Sequence, residues 1–255
     1  MFSILFRHPA PQREDYLIAD LAELGTTGIN EEQNGIRAFF DDSADGQALL
    51  TRFSEFAPTF RQEDRTDWEQ ISRDAWPSFP VGRGFYLVPP WRKNEPTPYG
   101  RVRLDIYPGM ACGTGRHPAT QLCLQAIEQH VLPGDSVLDV GSGSGILAQA
   151  ATLIGAGRVI ACDSDPQAIG IARENYPSVP FFVGSADAAQ SRWADVIIAN
   201  IDSATIEQLA PELERVRKPD STLILSGFPA WDTPEGFHPT ETLEQDGWLC
   251  FVVAG

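Results

Sequence analysis

Apolar and polar positions follow one rhythm up to about residue 65 and another after residue 100. The first stretch reads as short alternating elements. Phe2 to Phe6 predicts a strand. From Pro11 to Leu24 the apolar residues (Tyr16, Leu17, Leu21, Leu24) fall at helical spacing, and Gly25 follows where a C-cap would stand. Gly28 to Glu31 and Gly35 to Phe40 predict two strands joined at Asn34-Gly35. Asp45 to Phe56 predicts a second helix, and Thr59 to Gln62 a last strand. The order β-α-β-β-α-β is that of a ferredoxin-like α+β module over residues 1–65.

Residues 66–100 form a bridge. Asp67-Trp68 opens a helix that reaches Trp76, where Pro77 stops it, and Val81 to Val88 predicts one strand. Residues 89–100 contain four prolines and Gly100 and predict a loop. From 101 onward strands alternate with helices. Strands are expected at Arg101 to Ile106, Ser136 to Val140, Arg158 to Cys162, Phe181 to Val183, Ala194 to Ala199, Thr222 to Ser226 and Trp248 to Val253. Helices are expected at His117 to Val131, Ile146 to Ile154, from Asp165-Pro166, and from Ala204 to Val216. Such alternation predicts an α/β domain over 101–255: a mostly parallel sheet with helices on both faces.

Composition narrows the function classes. With 42% hydrophobic residues in 255, a sizeable core is available. The 19 Lys+Arg against 35 Asp+Glu give a net charge of −16. Residues 1–90 hold 8 basic and 15 acidic residues and 91–255 hold 11 and 20, so the acidity is spread and not a tail. A chain this acidic lacks the basic face that phosphate neutralisation needs, so no direct nucleic-acid binding is expected, and a basic partner suits it better. No window approaches the roughly 18 apolar residues of a membrane span. The apolar start is too short for a signal peptide. Four scattered cysteines (Cys112, Cys123, Cys162, Cys250) form no CxxC pair, which argues against a zinc site or disulfide framework and fits a reducing cytoplasm.

Candidate chemistry concentrates in four segments. Val137-Leu138-Asp139-Val140-Gly141-Ser142-Gly143-Ser144-Gly145-Ile146 is an apolar strand, three alternating glycines and a helix start. The glycines permit a tight turn and bring backbone N–H groups toward a ligand at the helix N-terminus. The nicotinamide fingerprint would need glycine where Ile146 stands. Asp139 would be unwelcome beside a pyrophosphate and welcome beside a cation, so the loop suits S-adenosyl-L-methionine better than a dinucleotide. Asp163 ends the next strand and is placed to accept ribose hydroxyls; its alternative is a helix cap, a role that Asp165 already fits. Asn200 ends the strand Ala194 to Ala199, where its amide oxygen can accept from an amine substrate, or else it is a turn residue. Gly113-Thr114-Gly115-Arg116-His117-Pro118-Ala119-Thr120 is a glycine-bearing loop that enters a helix, with the Thr120 hydroxyl on the first turn. His117 is either a general base or a cap and packing residue.

These segments, in this order, resemble the bacterial methyltransferase family of large-subunit ribosomal protein eleven (PrmA). The resemblance rests on Asp67-Trp68, Val88-Pro89-Pro90-Trp91, the run Pro108 to Thr120, the Asp139 loop, Asp163-Ser164-Asp165-Pro166-Gln167-Ala168, Asn200-Ile201, Leu209-Ala210-Pro211-Glu212-Leu213 and Leu223-Ile224-Leu225-Ser226-Gly227. It implies a ferredoxin-like substrate-recognition domain, a linker helix, and a class I methyltransferase domain with a Rossmann-like sheet whose last strand is antiparallel. It implies Thr120, Gly141, Asp163 and Asn200 as cofactor-contacting positions, to which the reading of the loop itself adds Asp139 and Gly143; Asn200 is also the candidate catalytic residue. It implies methylation of lysine and N-terminal amines of a basic ribosomal protein in the cytoplasm. A small-molecule methyltransferase, or a cofactor-binding protein without transfer activity, are the alternatives. The chain departs from the family's usual pattern at Cys112, Arg116 and Ala119 and at Asp202-Ser203 after Asn200-Ile201, and Arg116 and Asp202 add opposite charges near the expected site.

Overall fold

The computed structural model describes residues 1–7, 17, 20, 21, 24–32, 35–62, 76–107 and 115–255, excepting the side chains of 31 and 32. They belong to two compact units, Met1–Ala75 and Trp76–Gly255.

In the first unit, β1 (Phe2–Arg7), β2 (Gly28–Glu32), β3 (Gly35–Phe40) and β4 (Thr59–Gln62) form an antiparallel sheet in the order β2-β3-β1-β4, that of a ferredoxin-like module. The register Phe2↔Phe40, Ile4↔Ala38, Phe6↔Ile36 puts alternate residues of β1 and β3 on one face. All six are buried in one cluster with Leu17, Leu21, Leu49 and Phe53. Of the helix expected over 11–24, Leu17, Asp20 and Leu21 are described and helical, Leu24 is in the turn that follows, and the rest lies outside the described residues. The helix expected from Asp45 to Phe56 is two pieces. α1 (Gly46–Arg52) starts at Asp45, whose carboxylate accepts from Ala48 N at 3.0 Å, and a 3-10 turn follows over Ser54–Phe56. The helix expected over 67–76 lies outside the described residues up to Ala75.

The second unit opens with β5 (Phe79–Val81), β6 (Phe85–Val88) and β7 (Val102–Asp105), a three-stranded sheet. Val81 to Val88 is therefore not one strand but a turn feeding a second one. Gly82 has φ +54°, and the N–H groups of Arg83 and Gly84 donate to the Glu128 carboxylate at 2.7–3.1 Å. A Cβ on Gly82 would lie 2.5 Å from that carboxylate, so the pair of glycines makes room for an internal anion.

The main sheet has seven strands: β8 (Ser136–Val140), β9 (Arg158–Asp163), β10 (Phe181–Val183), β11 (Ala194–Asn200), β12 (Arg217–Pro229), β13 (Glu241–Gln245) and β14 (Trp248–Ala254). Their order is β10-β9-β8-β11-β12-β14-β13. The first five are parallel, and β14 is antiparallel to both β12 and β13. β13 has no counterpart in the sequence expectation. Leu243 is its one apolar residue, and as an edge strand it pairs on one side only, so it needs no apolar run.

Helices α2 (Pro118–His130), α3 (Ile146–Leu153), α4 (Pro166–Asn175) and α5 (Ser203–Val216) cover the sheet. Val137, Ala161, Val196, Ile198 and Ile224 share one buried cluster with residues of α2, α3 and α4. Leu138, Val140, Cys162, Ile197, Ala199 and Leu223 share the other with α5. The side-chain period of two therefore sends Asp139, between Leu138 and Val140, toward the face that α3 covers. No helix among the described residues is long and apolar enough to cross a membrane.

Candidate functional site

From β8 the chain continues outward to β9 and β10, then returns to place β11 and β12 on the other flank of β8. Strand order reverses between β8 and β11, and at such a switch point the carboxyl ends of parallel strands leave a crevice. Asp139 pairs with Ile198 across β8 and β11, Val140 with Cys162 across β8 and β9, and Asn200 with Ser226 across β11 and β12. That register brings the ends of β8, β9 and β11 (the Gly141 loop, Asp163 and Asn200) to one edge.

The Gly141 loop follows β8. Gly141, Gly143 and Gly145 have φ of +72°, +51° and +85°, a conformation that glycine adopts at little cost. Four of the loop's N–H groups are satisfied inside the protein. Gly141 N and Ser142 N both donate to Cys162 O (2.9 and 3.0 Å), Gly143 N to Asp163 Oδ2 (2.9 Å) and Gly145 N to Ser142 O (2.8 Å). The expectation that this loop offers its N–H groups to a ligand is therefore corrected: four of them shape the loop itself.

Asp139 is 1% exposed, and its Oδ2 accepts from Ala148 N, in the first turn of α3, at 3.0 Å. The positive end of that helix thus already holds an anion. Its Oδ1 is buried and has no hydrogen-bond partner among the described residues, and the same holds for Ser142 Oγ. Burial pushes the Asp139 carboxyl up to about 7, against the lowering effect of the Ala148 N–H, and the Asp163 charge adds to the rise. Asp163 stands at the end of β9; its Oδ2 holds Gly143 N and its Oδ1 accepts from Asp165 N at 2.9 Å. Each oxygen keeps acceptor capacity. The helix cap of α4 is Asp165, which accepts from Gln167 N at 2.8 Å, so Asp163 is not needed for that task.

Asn200 and Thr120 meet across the crevice. Asn200 Nδ2 donates to Thr120 Oγ1 at 3.3 Å, leaving Oδ1 as the amide's acceptor, and Thr120 is 1% exposed. All six residues nominated from the sequence thus fall at the carboxyl edge of the sheet or on the helix that borders it.

One feature escaped the sequence reading, which quoted Ile201 and Gly227 within its motifs but not their close approach to each other. Gly227 has φ +98°, and a Cβ there would stand 2.5 Å from Ile201 O and 2.6 Å from Ile201 N. Gly141 would likewise meet Ile201 Cγ2 at 2.3 Å. Ile201 N donates to Ser226 O at 2.9 Å, so two bare glycines let this residue close the floor beside Asn200. The signal was present as Ser226-Gly227 at the end of a parallel strand. His117 is a cap: its Nδ1 accepts from Ala119 N at 3.3 Å, and its ring meets Trp248 edge-on at 4.4 Å. Asp202 is the N-cap of α5, accepting from Thr205 N (2.9 Å) and Thr205 Oγ1 (2.7 Å), bonds that lower its carboxyl below the ordinary range. Arg116 stacks on the Trp76 ring. Cys123, Cys162 and Cys250 are buried, with Cys162 pushed up to about 12 by burial, and Cys112 lies outside the described residues. A cleft of about 590 Å³ lies at the opposite, amino ends of β9 and β10, lined by Arg158, Pro180, Gln190 and Trp193 among others; it touches none of the nominated residues.

The residues present fit S-adenosyl-L-methionine better than a dinucleotide. A pyrophosphate at this helix N-terminus would meet loop N–H groups already engaged and a carboxylate already seated. A ligand with positive charge would meet a buried carboxylate oxygen in want of a partner.

Comparison with known proteins points the same way. The family described as ribosomal protein L11 methyltransferase (PrmA) matches residues 6–254. A ribosomal protein L11 methyltransferase of Desulfosudis oleivorans is 38% identical over 249 residues, covering 90% of this chain and 81% of its own. One from Azotobacter vinelandii is 36% identical over 245 residues, covering 89% and 83%. The crystal structure of a ribosomal protein L11 methylase from Lactobacillus delbrueckii subsp. bulgaricus superposes with a TM-score of 0.63 at 27% identity, covering 70% of this chain and 98% of that one.

Proposed function

The chain belongs to the ribosomal protein L11 methyltransferase (PrmA) family, and from that premise we propose that it methylates lysine side chains and/or the N-terminal amine of ribosomal protein L11, using S-adenosyl-L-methionine. The observation that supports this reading most is the Asp139 carboxylate at the start of α3, buried with one oxygen bare. When bound, S-adenosyl-L-methionine supplies a methyl group on a cationic sulfur.

Asp139 favours the positive charge of the cofactor. Gly141 and Gly143 bring the backbone close, and the Asp163 carboxylate accepts from ribose hydroxyls. Thr120 orients Asn200 through the 3.3 Å hydrogen bond. The Asn200 amide oxygen and the neighbouring carbonyl of Ile201 accept from the substrate amine and aim its lone pair. Much of the rate then comes from orientation.

The amine must be neutral to act. At pH 7 that costs about 4.6 kcal/mol for a lysine of pKa about 10.4, and about 1 kcal/mol for an α-amine of pKa about 7.8. A crevice that strips water from the ammonium lowers this cost, so no strong base is required. His117, capping α2, is not assigned one. The net charge of −16 suits encounter with a basic protein, and the cytoplasm is where such a substrate is made. Residues 1–65 serve recognition of the substrate, 66–100 connect, and 101–255 carry the chemistry.

The experiment pairs purified ribosomal protein L11 with labelled S-adenosyl-L-methionine. Label should enter L11, and Asn200→Ala should lower kcat by about 100-fold, as for a lost orienting contact. Transfer within about threefold of wild type, with cofactor binding intact, would remove Asn200 from its role. Label found only among small molecules would point to a small-molecule methyltransferase, and no label to a binding protein without transfer.

A further inference from the structure

Ser226 of β12 pairs with Asn200, and the strand then runs on to Pro229 at the same carboxyl edge of the sheet. Between Ser226 and Phe228 its register with β14 shifts, at the Gly227 that lies against Ile201, and such an irregularity re-aims the chain that follows. A tight turn comes next. Asp232 N donates to Pro229 O at 3.0 Å, so Trp231 is the third of four turn residues and stands at the tip.

The turn is fastened on both flanks. Ala230 N donates to Gly247 O at 2.9 Å, in the Asp246-Gly247 turn between β13 and β14, where both residues have positive φ (+50° and +77°). On the other flank Asp232 Oδ2 accepts from Ser203 Oγ at 2.9 Å, and Ser203 is buried three residues beyond Asn200. Glu235 N donates to Glu207 Oε1 of α5 at 2.7 Å. The side chain that this braced turn carries is nevertheless 84% exposed. The Trp231 ring passes Gly247, where a Cβ would come within 3.9 Å of Cζ3, and it meets no aromatic ring or cation among the described residues.

A single exposed apolar side chain is ordinary on a protein surface. The setting of this one is particular: it is held out beside Asn200 and Ile201, in acidic surroundings. From Phe228 to Trp248 the chain has five carboxylates (Asp232, Glu235, Glu241, Glu244 and Asp246) and no Lys or Arg. Asp232 follows Trp231 in its turn, and Asp246 precedes the Gly247 that the ring passes. Neither is in an ion pair among the described residues. An indole face with carboxylates beside it suits a lysine or arginine side chain: the ring takes the cation and its alkyl stem, and the charges favour its approach.

We propose that Trp231 is a specificity-determining residue that contacts the protein substrate: its ring receives a Lys or Arg side chain of the basic protein whose amine is presented at Asn200. This deepens, and rests on, the reading of the crevice as an amine methyltransferase site. The contact lies on the rim, so it adds to affinity for the protein substrate and leaves the cofactor crevice and the methyl transfer as they are.

The test compares wild type with Trp231→Ala, Trp231→Phe and Trp231→Leu. With L11 as substrate, Trp231→Ala should raise KM about three- to tenfold, the range of one cation–π contact, with kcat and the Kd for S-adenosyl-L-methionine within about twofold of wild type. Trp231→Phe keeps a ring and should recover part of the loss. Trp231→Leu keeps apolar area without a π face and should recover none. A second readout needs no methyl transfer. In protein made with fluorotryptophan, the fluorine resonance that Trp231→Phe lacks is that of Trp231. It should move on adding a synthetic peptide of alternating lysine and glycine, and stay in place with the glutamate counterpart. An unchanged KM in Trp231→Ala, a cofactor Kd that shifts along with KM, a leucine variant as good as the phenylalanine one, or a resonance indifferent to the lysine peptide would each overturn the proposal. A resonance that moves with protein concentration alone would give this face to a second copy of the chain and overturn it too. A wild-type protein inert toward L11 would count against the proposed function, and the lysine-peptide titration would still decide whether Trp231 takes a basic chain.

Discussion

Replacing Asp139 with asparagine should make the protein more stable at neutral pH and worse at binding its cofactor. The carboxyl is 1% exposed and is lifted from 3.8 to about 7, chiefly by burial. The native state thus holds this proton more tightly than the unfolded chain does. With the folded value raised, the group's contribution to stability is greatest below pH about 4, declines as pH rises toward 7, and is level beyond. A shift of about three units corresponds to about 4 kcal/mol lost by pH 8, accumulated at about 1.4 kcal/mol per pH unit. Asparagine cannot ionise and escapes this decline. It keeps an oxygen for Ala148 N but leaves its own amide unpaired where Oδ1 stood, at a cost of about 1–3 kcal/mol independent of pH. Asp139→Asn should therefore match wild type within about 1 kcal/mol near pH 5 and exceed it by about 1–3 kcal/mol at pH 8.

Urea unfolding of the cofactor-free protein at pH 5, 6, 7 and 8 reads this directly. Five of the six tryptophans (Trp76, Trp91, Trp193, Trp231 and Trp248) lie in the second unit and Trp68 in the first, so tryptophan fluorescence is weighted toward the unit that contains the substitution, and Trp68→Phe as the common background makes it follow that unit alone. Equal slopes with denaturant would license comparison of midpoints. The same variant should bind S-adenosyl-L-methionine about tenfold more weakly or worse, the scale of one lost charged hydrogen bond. A stability difference that does not vary between pH 5 and 8 would refute the electrostatic account of Asp139. Unchanged cofactor affinity would remove it from the cation.

Two further substitutions probe the crevice from other sides. Asp163→Ala should lower affinity for S-adenosyl-L-methionine at least about tenfold by isothermal titration, since it removes the ribose acceptor and frees the Gly143 N–H; unchanged affinity would exclude the ribose role. Gly227→Ala should cost about 2 kcal/mol or more in urea unfolding, because the new Cβ would meet backbone atoms of Ile201 at 2.5 and 2.6 Å in a positive-φ conformation; a cost below about 0.5 kcal/mol would mean that the strand end shifts freely.

The sequence made the strongly periodic parts of this molecule legible. Alternation in β1 and β3, helical spacing in α2 and α5, and glycines after β8 all mark elements that the structure contains. What escaped were features set by a partner distant in sequence. The turn at Gly82–Gly84 exists because Glu128, on α2, receives its N–H groups. β13 exists because β14 offers an edge, not because Glu241–Gln245 has a strand's composition. Gly227 is informative only once Ile201 is seen to pass beside it. Arg116 and Asp202 looked alike on paper, as charges near the site. One stacks on Trp76, 40 residues back in the chain, and the other caps the helix that begins at the next residue, so only the second role could be read from immediate neighbours.

Asp139 shows how one such distant partnership decides the class of ligand. From the sequence, Asp139 before the glycine loop already favoured a cation over a pyrophosphate, but where its carboxylate would sit was not legible. In the fold, the period of two turns that residue under α3, where its carboxylate fills the anion site from within. Folding thereby leaves a buried charge that Asp163 makes still less comfortable. A phosphate arriving there would compound the repulsion. A cation would relieve it, and part of the electrostatic cost retained in the empty protein would reappear as binding free energy. In the proposed function the same carboxylate that weakens the free fold as pH rises toward 7 favours a positively charged cofactor, and removing it should separate stability from function in opposite directions.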